Sequence, residues 1–253
     1  MPTAREALLR SALAALADLP WSAIRMVDVA SGAGVSRQTL YNEFGSKDGL
    51  ARALMRREAD RYLHGVERLL GERADAADRL VAVAEWTVGE ARARPLLRAL
   101  LTGCWGEWLP APPPARAATA TSAVPAQRRA DAGPPGTADL VALVRDRSAA
   151  ALRQDSRDPG PRGAGPRDPG PRRDHSQGDH SPRDPGRRDH GQRDHDRDEL
   201  LYRCELAVRL ALAHLIAPGA ESVGPLVRTA VTARLRAPLR APLSAPSPRA
   251  GAR

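Results

Sequence analysis

Along most of the chain the apolar residues return at intervals of three and four, the spacing of one helix face, and they do not alternate as a half-buried strand requires. Residues 4–18 place Leu9, Ala12, Leu13 and Leu16 on one stripe, which predicts a first amphipathic helix ending before Leu19 and Pro20. A second helix is predicted from about Arg25 to Ala33, with Gly34 as the left-handed residue that helix C-termini favour. Ser36 can cap a third helix over 37–44. Gly45 stops that helix, and Ser46 caps a fourth from Lys47 to about Leu70. Ala77, Leu80, Val81, Ala84 and Val88 predict a helix over 75–94, and Pro95 starts or kinks the next, through Leu96, Leu97, Leu100 and Leu101.

The pattern then breaks twice. Residues 110–136 are rich in Pro, Ala and Thr and predict a linker, after which Leu140, Leu143, Val144 and Leu152 predict a short helix over about 139–152. Residues 154–198 form a degenerate repeat, with Arg-Asp-Pro-Gly at 157–160, 167–170 and 183–186 and Arg-Asp-His at 173–175, 188–190 and 193–195. Almost nothing apolar there offsets the entropy of ordering, so this stretch is expected to be a disordered insertion. Helical spacing returns at Glu199, with one apolar face over 199–217 and another over 221–236, before a flexible tail at 237–253.

The expected fold is all-α. It comprises a three-helix head at 1–50, a helical body at 51–236 that dimerises and carries the linker and the long insertion, and the tail. Net charge changes the picture little. The whole chain is +9, but residues 1–109 account for only +1, 110–153 for +3 and 199–253 for +5. Nucleic-acid binding must therefore be argued from a motif and not from overall basicity. No apolar run reaches the eighteen or so residues of a membrane span, and no signal peptide opens the sequence, so a cytoplasmic protein is expected. The two cysteines, Cys104 and Cys204, fit reduced thiols better than a disulfide or a metal site. No phosphate loop, paired carboxylates, nucleophile constellation or zinc spacing is visible in the helical regions, so neither an enzyme nor a cofactor is expected.

The chemistry concentrates in residues 24–50. Ala30 is small where two helices would cross, Gly34 makes the turn, and Val29, Val35, Leu40, Phe44 and Leu50 can point inward to set the crossing angle, as in a helix-turn-helix. Arg37 and Gln38 then stand at the start of a recognition helix, where Arg suits a guanine edge and Gln an adenine edge. Thr39, Tyr41 and Lys47 suit phosphate, and Asn42 either phosphate or base. Glu43 would repel DNA unless it met an Arg or a cytosine amino group. Such a helical pair also arises in ordinary bundles.

The stretches Val29-Ala30, Ala33-Gly34-Val35-Ser36, Thr39-Leu40-Tyr41-Asn42-Glu43-Phe44 and Ser46-Lys47-Asp48-Gly49-Leu50 resemble the signature of the TetR (tetracycline repressor) family. The resemblance covers roughly residues 4–60 and implies a transcriptional regulator with Thr39, Tyr41 and Lys47 on phosphate and Arg37, Gln38 and Asn42 facing the groove. Where the family often has Thr or Ser before the second helix, this chain has Arg25-Met26, and Arg25 can substitute for the hydroxyl. Together with Ser36, these residues form the candidate DNA-contact set.

The resemblance also implies a homodimer on palindromic operator DNA and a small-molecule inducer of unknown identity. On that reading Leu200, Cys204, Val208, Ala211, Leu212, Leu215, Leu226, Val227 and Ala230 form the dimer face, since two apolar helices at the end of the body exceed what a small core needs. Trp86, Leu97, Leu101, Trp105 and Trp108 are candidates for an apolar pocket, or simply core. Two other readings remain open: an architectural, non-specific DNA binder, and a regulator whose body binds a protein.

Overall fold

A computed structural model describes residues 3–72, 74–110, 133–157 and 186–233, with side chains described over 133–154 and 195–233 of the last two stretches. Most of the linker, the centre of the repeat insertion, residues 234–236 at the end of the last expected helix, and the tail lie outside the described residues. Among the described residues there are nine α-helices and one 3-10 turn, and no strand, in agreement with the all-α expectation.

Helix α1 (Ala4–Asp18) opens where Thr3 Oγ1 accepts the Glu6 N–H at 3.2 Å, and it closes ahead of Pro20, which pushes Leu19 into extended backbone. A 3-10 turn at Trp21–Ala23 leads into α2 (Met26–Gly32). Helix α2 crosses α1 closely: a Cβ at Gly32 would lie 2.6 Å from Ser11 Oγ, and that hydroxyl donates to the Val29 carbonyl at 3.0 Å. Gly34, at φ +68°, makes the turn into α3 (Arg37–Phe44), which is capped by Ser36.

Helix α4 (Lys47–Leu70) starts at the Ser46 cap and runs unbroken for 24 residues, so the boundary expected after residue 50 falls inside a continuous helix. Its buried stripe, from Leu50 through Leu54, Met55, Tyr62 and Val66 to Leu70, belongs first to the head and then to the body. Helix α5 (Ala76–Ala93) is capped by Asp75, whose Oδ1 accepts the Asp78 N–H at 2.8 Å; that bond chiefly holds the Asp75 pKa below its usual value. Pro95 begins α6 (Pro95–Thr102) and does not kink it, because its missing N–H falls at a position with no intrahelical partner to lose.

Helices α7 (Thr137–Arg157), α8 (Gly186–Ile216) and α9 (Val223–Thr232) complete the body. Helix α7 lies against α4 and α8, whereas α5, α8 and α9 pack on one another. Both α7 and α8 reach into the interval assigned to the disordered insertion. Helix covers 154–157 and 186–198, and 158–185 lie outside the described residues.

The dimer face expected from the sequence is mostly used inside the chain. Cys204, Val208, Ala211, Leu215 and Val227 are fully buried, Leu200, Leu212 and Ala230 are half-buried, and Leu226 alone of the nine stands exposed, at 53%. Periodicity showed that α8 and α9 each have an apolar face but not what covers it: α5 and α7 pack on α8, and α5 packs on α9. The α9–α5 contact is close enough that a Cβ on Gly224 would lie 2.1 Å from Glu85 Oε1. Among the described residues no helix is long and apolar enough to cross a membrane.

Candidate nucleic-acid interface

The recognition segment is held from behind by apolar contacts and at its start by a cap. Leu40 is fully buried, and Val35 and Phe44 pack partly buried against the same core, which leaves the polar side of α3 outward. Ser36 Oγ accepts the Thr39 N–H at 3.0 Å and lies 2.8 Å from Thr39 Oγ1, so Ser36 acts first on the helix start and keeps Thr39 half-buried beside it. Ser36 and Thr39 thus sit at the edge of the ridge.

Arg37, Gln38, Tyr41 and Asn42 are all exposed and form the ridge itself. The Arg37 guanidinium lies 5.4 Å from the Tyr41 ring centroid, and Gln38 Nε2 donates to Asn42 Oδ1 at 2.9 Å. These i,i+4 contacts are weak at a surface, about 0.2–0.5 kcal/mol for the Gln–Asn bond and about 0.5–1 kcal/mol for the Arg–Tyr contact, yet they restrict long side chains before DNA arrives. Glu43 is neutralised within the protein: Arg5 of α1 reaches its carboxylate at 3.3 Å while stacking over Phe44 at 4.7 Å. A carboxylate paired in this way repels the phosphate backbone less than a free one would.

Lys47, at the start of α4, donates from Nζ to the Ser22 carbonyl at 3.2 Å and lies 5.2 Å from the Trp21 ring centroid. Partial burial pushes its pKa below the usual lysine value. Arg25 is exposed at the N-cap of α2 and binds Asp28 through Nε (2.7 Å) and Nη2 (3.0 Å). It replaces the missing hydroxyl by position but makes no cap bond to the helix. Trp21, Ser22 and Arg5 were not singled out by sequence reading. The Trp21–Lys47 contact spans 26 residues, beyond the reach of any local sequence pattern.

The five residues named as pocket or core candidates differ in placement. Trp86 stacks on Tyr62 with centroids 5.6 Å apart and covers Gly65 so closely that a Cβ there would meet its ring at 2.0 Å. Leu97 and Leu101 are core, Trp105 is half-buried, and Trp108 is 56% exposed. These residues fasten α4, α5 and α6 together. The Trp108 carbonyl accepts the Trp21 N–H at 2.9 Å, a direct bond between the loop after α6 and the head. A second tie is an ion pair: Arg94 bonds Glu90 at 2.6 Å and Glu58 of α4 more closely still.

Against this geometry, the family profile of bacterial regulatory proteins of the tetR type matches residues 8–54, that is, α1 to the first turns of α4. The head, residues 8–54, is thus similar to that of the TetR family, and the match does not extend into the body. A relative, the HTH-type transcriptional regulator AlkX of Mycobacterium tuberculosis, is 43% identical over 106 residues, a stretch that is 40% of this chain. The chain thus spans half the length of that relative. Overlays on solved structures include the TetR-family repressor AlkX from Dietzia (18% identity, TM-score 0.43, 89% of this chain and 92% of that one). A TetR-family regulator from Streptomyces coelicolor also overlays (18%, TM-score 0.46, 91% and 79%). Neither overlay bears on ligand or partner.

Proposed function

We propose that this chain is a sequence-specific DNA-binding transcriptional regulator of the TetR family, a ligand-responsive repressor working in the cytoplasm as a homodimer on a palindromic operator, without catalytic activity or cofactor. The observation that carries this reading is the exposed ridge of Arg37, Gln38, Tyr41 and Asn42 at the N-terminal half of a helix whose other side is buried. Arg37 and Gln38 are the base readers. Thr39, Tyr41 and Lys47 contact phosphate, Arg25 and Ser36 flank them, and Asn42 serves either role.

Dimerisation is supported by apolar side chains left wholly or partly uncovered among the described residues. Leu212 and Ile216 lie one turn apart on α8, Leu226 and Ala230 one turn apart on α9, and Ile216 and Leu226 are 64% and 53% exposed. A two-fold pair of heads would span about 34–36 Å, one turn of DNA. Selection of bound duplexes from random DNA tests the reading, with Arg37→Ala and Gln38→Ala in parallel. The expected result is a near-palindromic motif that loses defined positions in each variant; binding without base preference would favour the architectural reading. Removing 158–185 separates the same two alternatives, since preference held by the head survives that deletion.

A further inference from the structure

At the end of the body away from the ridge, four helices line a half-open cleft of about 390 Å³, within the range of about 300–1,000 Å³ usual for small-molecule sites. Its walls are the first turns of α5 (Ala76, Ala77, Leu80), Leu152 of α7, Leu200 of α8 and Val231 of α9. Two alanines at the α5 end leave the space open. Arg203 of α8 also lines the cleft: its Nη2 bonds Glu199, while its Nε–H is shielded from solvent and bonded to nothing among the described residues. A shielded N–H without an acceptor is costly, and an acceptor atom on a ligand would relieve it.

The charge around this donor narrows the ligand class. Glu199 already balances the guanidinium, and Asp75 faces the same space with its carboxylate held ionised by the Asp78 N–H. A third carboxylate would face two others across one cation. Thr232 adds a hydroxyl at the rim. The geometry points to a binding site for a neutral, mostly apolar small molecule carrying one carbonyl acceptor, an ester or ketone, with its oxygen on Arg203 Nε and its hydrocarbon against Leu80, Leu152, Leu200 and Val231. This deepens the ligand-responsive part of the proposed function and rests on that reading only for its consequence at DNA.

Three probes of equal chain length separate the contributions: methyl octanoate, octanoate and octane, titrated into the full chain and read by ligand-observed NMR and thermal shift. Methyl octanoate is expected to bind once per chain, at least tenfold tighter than either of the others. Arg203→Met is expected to bring the ester down to the affinity of octane while leaving octane unchanged. Ala77→Leu fills the cleft and should weaken all probes. If that variant fails to fold, Ala76→Phe and Thr232→Phe block the same space from exposed positions. Octanoate binding tighter than the ester, no binding of any probe, or ester binding unmoved by the blocking variants would each overturn the site. So would ester binding that appears only once residues 234–253 are removed, since the chain's own tail would then be the occupant. Operator affinity is measured separately, so loss of the site leaves the DNA reading standing, and the reverse.

Discussion

Lys47 and Trp21, 26 residues apart, meet face to face: the ammonium lies 5.2 Å from the ring centroid and donates to the carbonyl of the residue after the tryptophan. The backbone N–H of the same tryptophan is bonded to Trp108, beyond α6. The chain's single lysine is therefore seated by the turn before α2, and that turn is fastened to the body. A phosphate contact from a lysine already restricted in this way costs less entropy to make.

Lys47→Ala is accordingly expected to weaken binding to all duplexes alike and to lower the slope of log affinity against log salt by about one, as loss of one phosphate contact requires. Fluorescence anisotropy across a salt series checks it. A loss confined to one operator sequence would instead make Lys47 a base reader. Trp21→Ala should give a smaller loss with the slope unchanged, because the charge remains.

The Glu58–Arg94 pair is the most enclosed charge pairing between α4 and the α5–α6 joint, the two side chains being 5% and 16% exposed. Removing Arg94 strands a buried carboxylate, so Arg94→Met should cost about 3–5 kcal/mol in chemical unfolding. The double variant Glu58→Leu with Arg94→Met should recover most of that. A double variant as weak as the single one would show that packing, and not the stranded charge, carries the loss.

Gly65→Ala is expected to destabilise by about 1–3 kcal/mol, because the added methyl meets the Trp86 ring at 2.0 Å and helix propensity alone would have favoured alanine. Trp86→Leu in the same chain should relieve the clash, giving a double variant more stable than the sum of the two single losses. Thermal melts of the four proteins close the cycle.

Burial pushes the Cys204 thiol up to about 12, whereas Cys104 is exposed. Near neutral pH a thiol reagent should therefore label Cys104 alone, with Cys204 reacting only on unfolding. Because the folded pKa lies above the ordinary value, the thiol's contribution to stability is whole below about pH 9 and fades as pH rises towards 12. Stability that is flat over that alkaline window in wild type and falls in Cys204→Ala would contradict this.

Local chemistry made much of the fold legible. The caps Ser36 and Ser46, the positive-φ turn at Gly34 and the Pro95 start fixed helix ends to within a residue or two, since each acts through bonds spanning three or four positions. The outward ridge of α3 was equally readable, because a period of 3.6 that buries Leu40 exposes Arg37, Gln38, Tyr41 and Asn42.

What the sequence by itself determined is therefore the set of helices and the face of each that seeks cover. Only the tertiary structure decided what provides the cover: α5 and α7 for the apolar face of α8, Gly65 and Tyr62 for Trp86, and Trp21 for Lys47. The physical reason is that hydrophobic burial is non-directional. An apolar stripe gains the same free energy against its own chain, a second copy or a ligand, and only the packing of distant segments selects among them.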